Sequence, residues 1–175
     1  MLGAALQADG GNEVGMHGLA RGISGDTELM RMAVEIVTYE NEHFDEVVSL
    51  WREAFPNDRP WNNAASTIPK KRAFQPDLFI VALDMGQVIG SVMAGYDGHR
   101  GWINRIAVLQ SHRKRGIGNA LMREAELRLH AMGCTKINLQ VLASNAAVVE
   151  FYRRLGYSVE ERISMSKRIG EPFSS

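Results

Sequence analysis

Residues 102–133, WINRIAVLQSHRKRGIGNALMREAELRLHAMG, constrain the fold more than any other stretch. An apolar, β-branched run ends in a loop holding two glycines and three consecutive basic residues. The loop opens on a helix of about residues 117–132. On that helix Leu121, Met122, Ala125, Leu129 and Met132 recur at the 3.6-residue period, with Arg123, Glu126 and His130 opposite. Gly133 follows as the residue that ends it. A strand feeding an amphipathic helix through a short loop points to a mixed α/β domain, not a helix bundle or an all-β sandwich.

The flanking segments extend the pattern. AVEIVTY reads as a strand. NEHFDEVVSLWREAF reads as a helix, with Phe44, Val47, Val48, Trp51, Ala54 and Phe55 on one face, Asn41 as N-cap and Pro56 as terminator. PNDRPWNN is a loop, and a short helix is expected over Ser66–Phe74 despite Pro69. DLFIVALD and QVIGSVMAGYD form a hairpin across Met85-Gly86, and GHRG turns the chain into WINRIAVL. After the long helix come a strand, KINLQVLA, a helix, SNAAVVEFYRRLGY, stopped by Gly156, and closing strands in SVEERISMSKRI. The order is βααβββαβαβ, a mixed (α+β type) arrangement whose sheet is mostly antiparallel.

The chain has 175 residues, enough for one domain. Residues 33–175 carry the pattern. Residues 1–32 are Gly-rich and unpatterned, and are expected to be a disordered tail or the product of an early start codon, with Met30 and Met32 just ahead of the first strand. Lys+Arg and Asp+Glu both number 20, which gives no broad basic field and argues against a nucleic-acid partner. Cys134 is alone, so no intrachain disulfide or cysteine-built zinc site is expected, in keeping with a reducing cytoplasm. No metal is expected. No apolar run has the length of a membrane span, so no membrane partner is expected.

The loop RKRGIG gathers backbone N–H groups at a helix N-terminus, where the helix dipole and Arg113, Lys114 and Arg115 add positive character. Gly116 and Gly118 carry no Cβ to hold a ligand off the backbone. Such a loop suits a pyrophosphate, although taken alone it reads first as a solvated charge run. There is no GxxxxGK[ST] and no GxGxxG with a following acidic residue, so neither a P-loop nor a dinucleotide site is supported.

INRIAVLQSHRKRGIGNALM resembles the central motif of the GCN5-related N-acetyltransferases, the GNAT superfamily. Arg113, Gly116 and Gly118 match its [RQ]-x-x-G-x-[GA]. NAAVVEFYRRLGY is similar to its second motif, N-x-x-[AV]-x-x-[FL]-Y-x-x-x-G-[FY], at the right distance downstream. RPWN, AGYDGHRG and the glycine loop look most like YpeA-type bacterial members. The resemblance runs from about residue 33 to the end.

The resemblance implies a GNAT fold, with the sheet splayed between its fourth and fifth strands, and acetyl transfer from acetyl-CoA, the co-substrate, to a primary amine. It implies that the main chain of Ile106, Ala107 and Val108 pairs with the pantetheine arm and polarises the thioester carbonyl. The cofactor cradle would be Arg113, Lys114, Arg115, Gly116, Ile117, Gly118 and Asn119. Asn145 would contact pantetheine, or cap the helix that follows it, a task for which Ser144 competes. Tyr152 would protonate the departing thiolate; on spacing alone it is a packed aromatic. N-terminal acetyltransferases of ribosomal proteins carry Glu where this chain has Gln140, which cannot accept a proton.

Asp97 and His99, in the turn before WINRIAVL, are the candidates for the base and the acceptor side. Arg59 and Trp61 are candidates for a carboxylate clamp and a stacking surface, with Trp102 beside them. The expected acceptor is a small-molecule amine attacked directly in a ternary complex, and Arg59 hints at an amino-acid-like one. The expected state is monomer or homodimer. The rival readings are a protein N-terminal acetyltransferase and a non-catalytic acyl-CoA sensor.

Overall fold

The computed structural model describes residues 34–167 and 169; the expected N-terminal tail lies outside them. Five strands form one sheet in the order β1-β2-β3-β4-β5: β1 Glu35–Thr38, β2 Phe79–Asp84, β3 Gln87–Tyr96, β4 Gly101–Val108 and β5 Ile137–Leu139. All neighbours are antiparallel except β4 and β5. Helices α1 (Phe44–Ala54) and α2 (Ala64–Ala73) lie between β1 and β2 in sequence. α3 (Ile117–Ala131) crosses from β4 to β5, and α4 (Ala146–Arg154) follows β5.

Alternation along β2 sorts the core into two layers. Phe79 and Val81 face Tyr39, Val47, Leu50, Trp51 and Ile68, the side of α1 and α2. Ile80 and Ala82 face Leu121, Met122, Leu129, Val148 and Tyr152, the side of α3 and α4. Phe79 stacks on Tyr39 with centroids 4.3 Å apart. Trp51 satisfies its indole by donating to buried Ser91 Oγ at 2.9 Å. Met85 and Gly86 both have positive φ, as the expected two-residue hairpin requires.

Several expectations are corrected. Asn41 does not cap α1. It begins a 3-10 turn, Asn41–His43, its side chain accepts from Arg72, and the turn is closed by Glu40 N–H donating to His43 Nδ1 at 2.9 Å. The second helix starts at Ala64, two residues before the expected position, because Asn63 Oδ1 accepts from Ala65 N–H. Leu50 is buried on α1, whereas Val48 only packs against the edge of its layer. On α3, Met132 is exposed, and Glu126 accepts from the Tyr157 hydroxyl at 2.8 Å.

The largest departure is at the C-terminal end. KINLQVLA keeps only three strand residues, and SVEERISMSKRI forms no strand among the described residues. So short an edge offers little ladder to build on. The segment meets the β5 region through side chains, Lys136 to Glu160 and Gln140 Nε2 to Ser164 Oγ at 2.6 Å. Val159, Ile163 and Met165 consequently stay exposed.

Candidate active site

β4 pairs with β5 only at Gly101, Trp102 and Ile103, opposite Ile137, Asn138 and Leu139. Beyond Ile103 the two strands part. The register with β3 shifts at the same place: Ile103 faces Ala94 and Arg105 faces Met93, leaving Asn104 as a bulged residue. From Asn104 to Val108 one edge of β4 is therefore without a β5 partner. Ile106, Ala107 and Val108 lie on this stretch that β5 does not pair, each at most 1% exposed.

The chain leaves β4 through Leu109 N–H donating to Ile89 O at 2.9 Å and a 3-10 turn, Gln110–His112. Lys114 and Gly116 then take left-handed conformations, φ +65° and +77°. This fold-back aims the start of α3 into the space beside β4. α3 has no side-chain cap; Gly116 is its N-cap, and a Cβ there would meet nothing within 4 Å. The first N–H groups of the helix thus have no intrahelical partner and face an open cleft. Val108, Lys114, Gly116, Gly118, Asn119 and Phe151 are among its lining residues. Uncapped donors over an open cleft fit a pyrophosphate group.

The three basic residues divide their work. Arg113 lines the cleft, but its Nε donates to Val108 O at 3.2 Å and ties the loop to the end of β4. Arg115 turns away, 3.4 Å from Asp84 Oδ2 on β2. Lys114 is exposed and borders the cleft. A further cation, Arg154, joins the lining from the last turn of α4. The sequence signal for it was the basic pair after Tyr152, which reads first as a helix end.

α4 begins with Asn145 Oδ1 accepting from Val148 N–H at 3.4 Å, so the asparagine, not Ser144, is the cap. The helix ends at Gly156, φ +89°. Tyr157 N–H donates to Tyr152 O at 3.0 Å and Gly156 N–H to Arg153 O at 2.9 Å, a Schellman closure that also brings the rings of Tyr152 and Tyr157 to 5.6 Å. The LGY of the motif is therefore a helix stop that wedges Tyr152. Tyr152 is 4% exposed, and burial pushes its hydroxyl above the usual tyrosine range.

On the opposite layer, Arg105 was missed by the sequence reading. It is 3% exposed, and its guanidinium lies 4.2 Å from the Trp51 ring centroid and 4.4 Å from that of Phe55. Nη2 donates to Asp58 Oδ2 at 2.5 Å and Nη1 to Asn62 O at 3.2 Å. The contact pins the loop between α1 and α2 to β4. That loop carries Arg59 and Trp61, with the Arg59 guanidinium 5.8 Å from the Trp61 ring and Trp61 50% exposed. A charged residue inside a strand pattern gives no sign that two aromatic rings will enclose it.

Asp97 and His99 stay in the turn before β4. Asp97 Oδ1 accepts from His99 N–H at 2.8 Å and Arg100 N–H at 2.6 Å, and Oδ2 from Trp102 Nε1 at 3.2 Å. Those bonds hold its carboxyl below the ordinary range, led by the Arg100 amide. Both oxygens serve the turn, which leaves Asp97 poorly suited to taking up a proton. His99 is exposed. Cys134 is buried and donates to Lys136 O at 3.2 Å, a packed thiol as expected. No described helix is long and apolar enough to cross a membrane.

Known proteins share this arrangement. The sequence profile of the acetyltransferase (GNAT) family matches residues 44–157. An acetyltransferase of Sodalis glossinidius is 42% identical over 139 residues, covering 79% of this chain and 97% of its own length. One of Pectobacterium atrosepticum is 42% identical over 138 residues, with the same shares of 79% and 97%. The fold is also that of Ard1 from Thermoplasma volcanium (TM-score 0.66, 20% identity, 74% of this chain and 85% of that one). It is likewise that of AAC(6')-Iy in complex with a bisubstrate analogue of CoA (TM-score 0.64, 19% identity, 79% and 99%). With the forked strands, the uncapped helix and a family match across most of the described residues, the chain belongs to the GNAT family and is an acetyl-CoA-dependent N-acetyltransferase.

Proposed function

We propose that this enzyme acetylates the primary amine of a small, amino-acid-like molecule, by direct attack within a ternary complex. The observation that carries the reading is the meeting of two features: the fork that opens after Ile103 and the uncapped start of α3 beside it. Bound acetyl-CoA supplies the activated acyl thioester. The N–H groups of Gly116, Ile117, Gly118 and Asn119, with Lys114 and Arg113, hold its phosphate charge. The main chain of Ile106, Ala107 and Val108 orients the pantetheine arm and polarises the carbonyl. Asn145 adds an amide contact to that arm while capping α4.

Tyr152 keeps its proton at neutral pH, since burial disfavours the phenolate. It therefore acts as a donor, toward the sulfur that leaves. Arg59 and Trp61 receive the acceptor, its carboxylate at the guanidinium and its body against the indole. A peptide N-terminus is the weaker acceptor: Gln140 is neutral and hydrogen-bonded to Ser164, so that position supplies no carboxylate.

A thermal-shift titration with acetyl-CoA, CoA and ATP, followed by amine-dependent thiol release over a panel of amines and short peptides, tests the reading. Stabilisation by both CoA species but not ATP, with thiol release for an amino-acid-like amine, is expected. Release only with peptides would transfer the activity to protein N-termini. Binding without release from any amine would favour a sensor, and no stabilisation by CoA would remove the cradle.

A further inference from the structure

We propose that the segment around Ser164 is the surface along which two copies of this chain associate, as an antiparallel strand pair with Ser164 on the two-fold axis. Val159, Ile163, Met165 and Ile169 are 69–97% exposed, and Glu161 and Lys167 are exposed as well. All six stand at odd-numbered positions, so in an extended strand they share one face. The even-numbered positions are treated differently. Glu160 and Ser164 accept from Lys136 and from Gln140 Nε2 at the β5 region, both across a separation of 24 residues, so the segment runs alongside β5 in the same direction. Its main chain is left nearly unused. Over residues 158–167 the described residues make one main-chain hydrogen bond, from Arg162 N–H to Glu160 O at 2.9 Å. An apolar row beside unpaired main chain is the form of a strand edge that takes a partner.

The order of residues on that face identifies the partner as a second copy. Antiparallel pairing about Ser164 sets Ile163 opposite Met165, Glu161 opposite Lys167 and Val159 opposite Ile169. Each apolar side chain meets an apolar one, and the acid meets the base twice, once on each side of the axis. Neighbouring registers lose this match. Centred on Ile163, Glu161 faces Met165 and Val159 faces Lys167. Centred on Met165, Ile163 faces Lys167 and Glu161 faces Ile169. A slip by one residue turns the apolar row of one copy to the opposite face. The bond from Arg162 to Glu160 closes a γ-turn at Glu161, and straightening the chain there exchanges it for the ladder bonds of Glu161.

Sedimentation velocity of the full-length protein over a wide range of concentration tests the pairing, and a dimer is expected. Glu161→Lys or Lys167→Glu alone sets like charges opposite each other twice, and should weaken the dimer about tenfold. The two substitutions together exchange the charges and should restore it. Ile163→Asp should leave a monomer whose CoA-free melting temperature, read where the wild type is also monomeric, is unchanged. Register is read by oxidation: Ser164→Cys should form a covalent dimer rapidly, since the two positions adjoin across the axis. Ser166→Cys, which faces Arg162, should form one far more slowly, and the wild type none, because its single cysteine, Cys134, is buried. A monomer at every concentration would overturn the proposal. So would a dimer indifferent to the single charge changes, failure of the double exchange to restore it, or equal cross-linking at Ser164 and Ser166.

Discussion

Arg105 Nη2 and Asp58 Oδ2 stand 2.5 Å apart, and the pair ties the centre of β4 to the loop between α1 and α2. Asp58 is committed on both sides: its Oδ1 accepts from Arg59 N–H at 3.0 Å and from Asn62 Nδ2 at 2.8 Å. The guanidinium is enclosed by two aromatic rings, so it has no route to water when its partner is removed. Asp58→Ala should therefore destabilise the protein by about 3 kcal/mol, the cost of a stranded buried charge. Arg105→Met removes that charge and fills the slot between the rings, and should cost less, about 1 kcal/mol. Urea unfolding of both variants checks the order; a larger loss for Arg105→Met would contradict it.

Gly101 sits at the base of the fork, where a Cβ would lie 2.9 Å from Cys134 Sγ and 3.1 Å from side-chain carbons of both Ile137 and Leu129. Gly101→Ala must push β5 or the end of α3 outward. A loss of about 1–3 kcal/mol is expected from this overpacking. CoA affinity should fall with it, because the angle of the fork changes. Thermal unfolding with and without CoA measures both effects.

Tyr152→Phe keeps the ring in its place between Phe151 and Tyr157 and removes only the hydroxyl. Turnover should drop about 100-fold or more if the hydroxyl is the general acid, with CoA affinity unchanged. Burial raises the Tyr152 hydroxyl above the ordinary value of 10.0, so the wild-type rate should show no loss of this proton below pH 10. Thiol release at saturating acetyl-CoA, followed across pH for both proteins, reports the outcome. An unchanged rate would return Tyr152 to packing.

Lys71 gives a stability signature independent of catalysis. Its ammonium titrates at about 8 in the fold against 10.5 in the free side chain, because burial disfavours the charge. Between those values the unfolded chain binds more protons than the folded one, so stability rises with pH there. The contribution is present above pH 10.5 and is lost as pH falls through 8. Relative to Lys71→Met, the wild type should gain melting temperature from pH 8 to 10.5 and be flat below 7. A difference that is constant with pH would mean the lysine titrates normally.

The order of elements up to α4 was legible in the chain alone, as were the hairpin at Met85-Gly86, the helix stops at Gly133 and Gly156, and the glycine loop that opens α3. Each of these is local: a period, a turn dipeptide or a left-handed glycine is set by a few neighbouring residues. Cys134 as a packed thiol and Asn145 as a cap were legible for the same reason.

Where side chains with long reach go was settled by the fold. Arg115 pairs with Asp84 on β2, Arg113 binds the end of β4, and Glu126 meets Tyr157, so the expected row of three cations is divided. Asn41 is taken by Arg72 of α2, and Asp97 is spent on its own turn. Arg105, Lys71 and Arg154 acquire their settings from elements distant in sequence, and no periodicity announces them. The closing strand fails for a related reason: its alternating pattern is suited to pairing, but a ladder needs a neighbour, and β5 supplies only three residues. Local pattern fixes which segments are strands or helices; charge pairing, burial and strand partnership depend on what the fold brings alongside.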